Sequence, residues 1–144
     1  MSNHLLFCSL LLVGSFICNA QSTLTVKIEQ VRNLNGDLLV GLYDSTSNFP
    51  RKVSTGKVIK VTETNMLVTF SKVRPGNYAV SVLHDENQNK DLDQGMLGKP
   101  KEGYGFSNNV MGLIGPPSFK KARFNVPKGA SSIVVKMRYP KKSD

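Results

Sequence analysis

The chain has 144 residues and a formal charge of +9, from 19 Lys and Arg against 10 Asp and Glu. Both cysteines, Cys8 and Cys18, precede position 21, so residues 21–144 can form no disulfide and must rest on their own apolar core, which is feasible at this length. That composition excludes a cysteine nucleophile and zinc-type spacing, and neither a G-x-S-x-G elbow nor a phosphate loop occurs.

The first 20 residues carry no Lys, Arg, Asp or Glu, and residues 5–17 form a nearly unbroken apolar run ending in Cys18-Asn19-Ala20. The run is too short for a membrane span, which needs about 20 residues, and the small residues at 18 and 20 suit a signal peptidase. Residues 1–20 are therefore expected to be a signal peptide. Residues 21–144 are expected to be one secreted or periplasmic domain with no transmembrane span in the mature chain. A rival reading makes Cys18 a lipidation site, which the bulky Ile17 before it opposes.

From there, period-two alternation recurs and no stretch keeps a helical period. Leu24, Val26 and Ile28 alternate with Thr25, Lys27 and Glu29, and Asn35-Gly36 then turns the chain into Leu38, Val40 and Leu42. Asn-Gly is a strong hairpin signal because both residues tolerate positive φ, so these two strands are expected to pair. Further strands are expected over 57–62, 65–70 and 77–84, the last entered through Pro75-Gly76, and two more carry Ala122, Phe124, Val126 and then Ile133, Val135, Met137, Tyr139. Seven short strands separated by turns predict an all-β, seven-stranded Ig-like β-sandwich.

Residues 85–118 interrupt the pattern with a long loop that holds half of the 12 glycines and no evident strand or helix. Loops beyond about 12–15 residues inside a compact domain are usually functional or disordered. Disorder fits poorly here, because Tyr104, Phe106, Val110, Met111, Leu113 and Ile114 offer enough apolar surface to pack back onto the sandwich.

The loop opens with Asp85, Asn87, Asn89, Asp91 and Asp93, an oxygen-bearing side chain on every second residue. Calcium takes six to eight oxygens, and calcium loops supply them at positions 1, 3, 5, 7, 9 and 12. Counting from Asp85 gives Asp85, Asn87, Asn89, the carbonyl of Asp91, and Asp93. Position 12 is Met96, so Glu86 or Glu102 would have to complete the shell. Position 6, where glycine is usual, is Lys90, and a left-handed Lys there would cost about 1–2 kcal/mol. The competing reading is a solvated polar turn with Asp and Asn chosen for turn propensity. All-oxygen donors point to a hard cation if any.

His84 beside Asp85 invites an acid–base role, but a lone His at a strand end, on the face of Tyr78, Val80 and Val82, reads better as a hydrogen-bonded structural residue. Asp91, Asp93 and Glu102 could be drawn as a glycosidase pair, though nothing in the sequence places them across a cleft. Tyr104 and Phe106 could stack on a sugar and read better as loop core. The basic residues Lys120, Lys121, Arg123, Lys128, Lys136, Arg138, Lys141 and Lys142 carry no nucleic-acid signature. A solvated sheet face explains them, and docking on an anionic envelope polysaccharide or lipid surface is the alternative, should the last two strands lie side by side.

At His84-Asp85-Glu86-Asn87, the 89–93 run, Gly103-Tyr104-Gly105-Phe106-Ser107-Asn108-Asn109 and Gly115-Pro116-Pro117-Ser118-Phe119, the chain resembles a bacterial family, domain of unknown function 2141. The resemblance implies an exported envelope protein with no established activity. The family usually has glycine where this chain has Gln88 and Lys90. Val73-Arg74-Pro75-Gly76-Asn77-Tyr78, followed by Val80, Val82 and Asp85, is similar more loosely to transthyretin-like β-sandwiches, which implies a fold and no activity. The expectation is thus a non-enzymatic envelope binding or structural module, stabilised by calcium at the 85–93 loop. Carbohydrate or anionic-lipid binding through the long loop or basic strands is the alternative, and a hydrolase fits less well.

Overall fold

A computed structural model describes residues 21–92, 94 and 100–140. The expected cleavage site, the Cys18 alternative, Asp93, Met96, Lys141 and Lys142 lie outside the described residues. Among those described, eight strands occur: β1 (Ser22–Glu29), β2 (Asp37–Asp44), β3 (Thr55–Lys60), β4 (Met66–Val73), β5 (Gly76–Asp85), β6 (Gly103–Phe106), β7 (Phe124–Val126) and β8 (Ala130–Lys136). One helical turn, α1 (Phe119–Ala122), precedes β7.

Alternation sets the inner faces. In β1, Leu24, Val26 and Ile28 are fully buried while Lys27 points out, and β1 forms the middle of a three-stranded sheet with β4 antiparallel and β8 parallel to it. The second sheet has five strands, in the order β3, β2, β5, β6, with β7 also paired to β5. Leu38, Val40 and Leu42 of β2 and Val80 and Val82 of β5 meet β1, Val68 and Phe70 of β4, and Val135 of β8 in one apolar cluster. Each such buried side chain contributes about 1.5–3 kcal/mol, and this cluster carries the stability of a span without disulfides. The molecule is an all-β sandwich of two sheets.

Three expectations need correction. β1 and β2 do not pair, since each lies in a different sheet. Gly36 does adopt φ +68, but its turn carries the chain across the core and seats it on the end of β5, where a Cβ would stand 1.9 Å from the Asp85 carbonyl oxygen. Both strands have an apolar inner face, and those faces meet through the core rather than along one sheet. Likewise β7 and β8 belong to different sheets, so Lys121, Arg123, Lys136 and Arg138 do not form a patch on neighbouring strands. Lys121 lies in α1 rather than in a strand.

The third correction concerns the long loop, which contains β6. Its Gly-Tyr-Gly-Phe sequence has weak strand propensity, yet both glycines serve close approach. A Cβ on Gly103 would lie 2.0 Å from Cε1 of Tyr139, and one on Gly105 would lie 2.8 Å from Cγ1 of Val135. Side-chain-free positions let β6 pair with β5 over residues 81–84 and also touch the other sheet. The Tyr104 N–H donates to the Arg138 carbonyl at 2.9 Å and the Arg138 N–H returns to Tyr104 at 2.8 Å. On the opposite side, the Lys57 ammonium of β3 donates to the Thr69 carbonyl of β4.

Candidate functional site

The C-terminal end of β5 gathers the polar residues that alternation turns inward. His84 follows Val80 and Val82 on the core face and is fully buried. Its Nε2 lies 2.7 Å from the Asn35 carbonyl and its Nδ1 lies 2.8 Å from the Tyr139 hydroxyl. A carbonyl only accepts, so Nε2 carries a proton; in the neutral ring Nδ1 then accepts from Tyr139, whose oxygen also accepts the Arg32 backbone N–H at 3.1 Å. Burial raises the Tyr139 phenol above its usual range, an effect the Arg32 N–H partly offsets. The phenol therefore stays a donor at neutral pH.

Arg32 closes this cluster from outside. Its guanidinium sits 4.6 Å from the centre of the Tyr139 ring and grips Glu86 with two bonds, Nε to Oε1 at 2.7 Å and Nη2 to Oε2 at 3.0 Å. The Arg32 hydrogen bond holds the Glu86 carboxyl below its ordinary value, and Glu86 raises the guanidinium in return. The Glu86 N–H donates to Oε1 of the buried Glu102 at 3.1 Å. The ends of β1, β5 and β8 and the segment before β6 are thereby tied together.

The next residues form the oxygen-rich loop. Asp85 is fully buried, with Oδ1 accepting the Asn89 N–H at 3.1 Å and Oδ2 the Lys90 N–H at 2.7 Å. Asn87 Oδ1 also accepts from the Asn89 N–H, Asn89 Oδ1 from the Asp91 N–H at 2.9 Å, and Asp91 Oδ1 from the Leu92 N–H at 2.8 Å. Gln88 and Lys90 have φ of +61 and +63, so position 6 is left-handed as the calcium-loop pattern requires. The side-chain oxygens thus hold the loop's own amides, as a polar turn does.

The donors fit a hard cation in kind, because they are carboxylate and amide oxygens. Among the described residues no group of three or more His, Cys, Asp or Glu is placed to hold a metal. Glu86, one of the two acids considered for completing a shell, is committed to Arg32 through both oxygens. Glu102 is the other, and Asp93 lies outside the described residues.

The stretch after β6 locks the loop in place. Ser107 is fully buried in the gap between β6 and β7 along β5, where its hydroxyl accepts the Val80 N–H at 2.9 Å and donates to the Ala122 carbonyl at 2.6 Å. Asn108, at φ +58, donates through Nδ2 to the carbonyls of Lys121 and Arg123, and Asn109 Oδ1 accepts the Lys136 N–H at 2.8 Å. The segment Gly103-Tyr104-Gly105-Phe106-Ser107-Asn108-Asn109 is therefore a structural fastener joining both sheets and α1. The sequence profile of a family described as "Uncharacterized protein conserved in bacteria (DUF2141)" matches residues 26–134. The chain belongs to this family. No curated relative and no solved structure matches it.

The span matched to the family includes His84, the Asp85 loop and the fastener, whereas Tyr139 falls just beyond it. Phe106 is 8% exposed and packs edge-on against Phe49, which also meets Tyr43 and Phe119, so it is a core ring, as expected, rather than a sugar platform. Arg32 and the polar role of Tyr139 are not signalled in the sequence. Tyr139 continues the alternation of β8 past its end, whereas Arg32 lies beyond a break in that of β1, where Gln30 takes φ +66 and Val31 is buried; their meeting spans 107 residues, and no local pattern signals it. Surface depressions of about 180 and 370 Å³ lie around Asp44, at the far end of the β2–β5 pair from His84.

Proposed function

We propose that this chain is an exported, non-enzymatic module of the bacterial envelope, binding or structural, whose 85–93 loop is fastened by calcium. The observation carrying the calcium reading is the loop itself. Asp85, Asn87 and Asn89 turn their side-chain oxygens onto a backbone that accepts a left-handed Lys90 at the sixth position, the conformation that glycine serves in calcium loops. Asp85, Asn87, Asn89 and Asp93 with the Asp91 carbonyl would hold the ion, and Glu102, whose Oε1 already accepts the Glu86 N–H, would have to complete the shell. The ion would supply charge compensation and rigidity, with no chemistry.

The non-enzymatic part is supported by His84, whose two ring nitrogens are both spent on structural partners in a fully buried position. Export is supported by the uncharged apolar run over 5–17 that ends in Cys18-Asn19-Ala20. The sandwich is further read as Ig-like or transthyretin-like, supported by the way successive strands cross between the two sheets.

Calcium titration of thermal stability tests the reading. At 1 mM calcium and a dissociation constant of about 0.1–1 mM, stabilisation is about 0.4–1.4 kcal/mol, a rise of a few degrees in Tm. Asp85→Ala alone does not discriminate, because losing the acceptor of two loop amides destabilises the loop with or without an ion. The deciding result is the calcium dependence. An unmoved Tm between calcium and chelator for the unaltered protein reduces the loop to a self-capped polar turn.

A further inference from the structure

Leu113 and Ile114 are 99% and 92% exposed, the most exposed large apolar side chains among the described residues. The sequence had them packing back onto the sandwich, and they do the opposite. Scattered apolar residues on a surface are ordinary. A consecutive pair at the crown of a loop that is fixed at its base and tightly folded at its apex is a different matter.

The base is fixed because the chain leaves the fastener at Asn109 and returns at α1, and these two points are bonded to one another. Ser107 holds the Ala122 carbonyl, and Asn108 holds the carbonyls of Lys121 and Arg123 at 3.1 and 2.9 Å. At the apex the backbone folds closely on itself. A Cβ on Gly112 would stand 2.2 Å from the Gly115 carbonyl oxygen and 2.6 Å from that of Pro116, and Gly115 takes φ +80. Pro116 and the buried Pro117 stiffen the return leg. A crown held this way loses little conformational freedom on docking.

Charge completes the picture. Lys120, Lys121 and Arg123 stand exposed at the base, and no acidic residue occurs from position 103 to position 143. The geometry points to a lipid-inserting tip: Leu113 and Ile114 enter the acyl boundary of an anionic bilayer while Lys120, Lys121 and Arg123 meet its headgroup phosphates. The reach is adequate. Four residues from Asn109 to Leu113 extend at most about 13–14 Å, and interfacial insertion needs about 5–10 Å. Two aliphatic side chains give weak, reversible binding, and a neighbouring basic cluster is the second signal that makes it stable.

This assignment rests on the envelope placement proposed above and is independent of calcium. The probe is binding of the purified protein to vesicles of phosphatidylcholine with about 30% phosphatidylglycerol and to pure phosphatidylcholine, each with calcium and with chelator, at about 0.1 M salt. Binding is expected to the anionic vesicles, with Leu113→Ser and Ile114→Ser each weakening it by about tenfold or more. Replacing Lys120, Lys121 and Arg123 by Gln should remove the preference for anionic lipid. Melting temperatures of the Ser variants report folding, and both positions are solvated, so these should not move.

Residues 21–144 contain no cysteine, so Leu113→Cys in that span accepts one environment-sensitive fluorophore, whose emission should shift to the blue on anionic vesicles. Binding unaffected by both Ser substitutions, or a fluorophore that stays in water, overturns the tip. So does a Ser-sensitive self-association in place of lipid binding, which would make a second copy the occupant. A Tm indifferent to calcium would sink the ion reading while leaving the vesicle result standing, and the reverse outcome separates them equally well.

Discussion

At the scale of single residues, the sharpest local conflict is Lys90, held at φ +63 in the oxygen-rich loop. The left-handed region costs a residue with a Cβ about 1–2 kcal/mol, and glycine gives back about 0.4–1 kcal/mol through its freer unfolded chain. Lys90→Gly should therefore raise stability by up to about 1.6 kcal/mol, read as a higher urea midpoint with unchanged slope. Gln88→Gly should gain less, because Gln88 also bonds Asp37 at 2.9 Å. Glu86 makes a pH prediction. Arg32 lowers its folded pKa, so the pair stabilises above the ordinary carboxylate range and its contribution disappears as pH falls through the lower folded value. Glu86→Gln should be less stable than the unaltered protein at pH 7 and should show a flatter loss of stability on the acid side. The structural character of His84 was legible from its place on an apolar face. Its partners were not, since Asn35 offers a backbone carbonyl and Tyr139 lies 55 residues away.

At the scale of elements, Ser107 shows how a short strand is kept in register. β6 and β7 share one edge of β5 without touching end to end, and the serine hydroxyl fills the interval. Ser107→Ala leaves the buried Val80 N–H without its acceptor and the Ala122 carbonyl without its donor, which should cost about 1–3 kcal/mol. Hydrogen exchange at the Val80 amide should accelerate by more than the global loss of stability accounts for. Gly105→Ala tests the same assembly by volume. Its Cβ would meet Val135 Cγ1 at 2.8 Å and the Lys136 carbonyl at 2.9 Å, so overpacking of about 1–3 kcal/mol is expected in denaturant melts. Most strands were readable because each buries one face, so period two survives in the sequence. β6 was not, because Gly103 answers to Tyr139 and Gly105 to Val135, both far along the chain, and Asn35-Gly36 fixed a local bend without naming the strand that the bend would serve.

At the scale of the whole molecule, the sandwich could be read in outline, since seven alternating runs in a span without disulfides leave few other ways to bury their faces. Which strand joins which sheet could not, because inner faces are interchangeable until long-range contacts choose between them. The strand order has a temporal side. β8, the last strand made, lies beside β1, the first, and Tyr139 and Arg138 then fasten the far side. A chain ending before Ala130 should lack cooperative unfolding altogether, visible as a featureless thermal melt rather than a lowered midpoint. Until β8 is made, β1 keeps one edge unpaired, so the three-stranded sheet is the later of the two to be completed during synthesis.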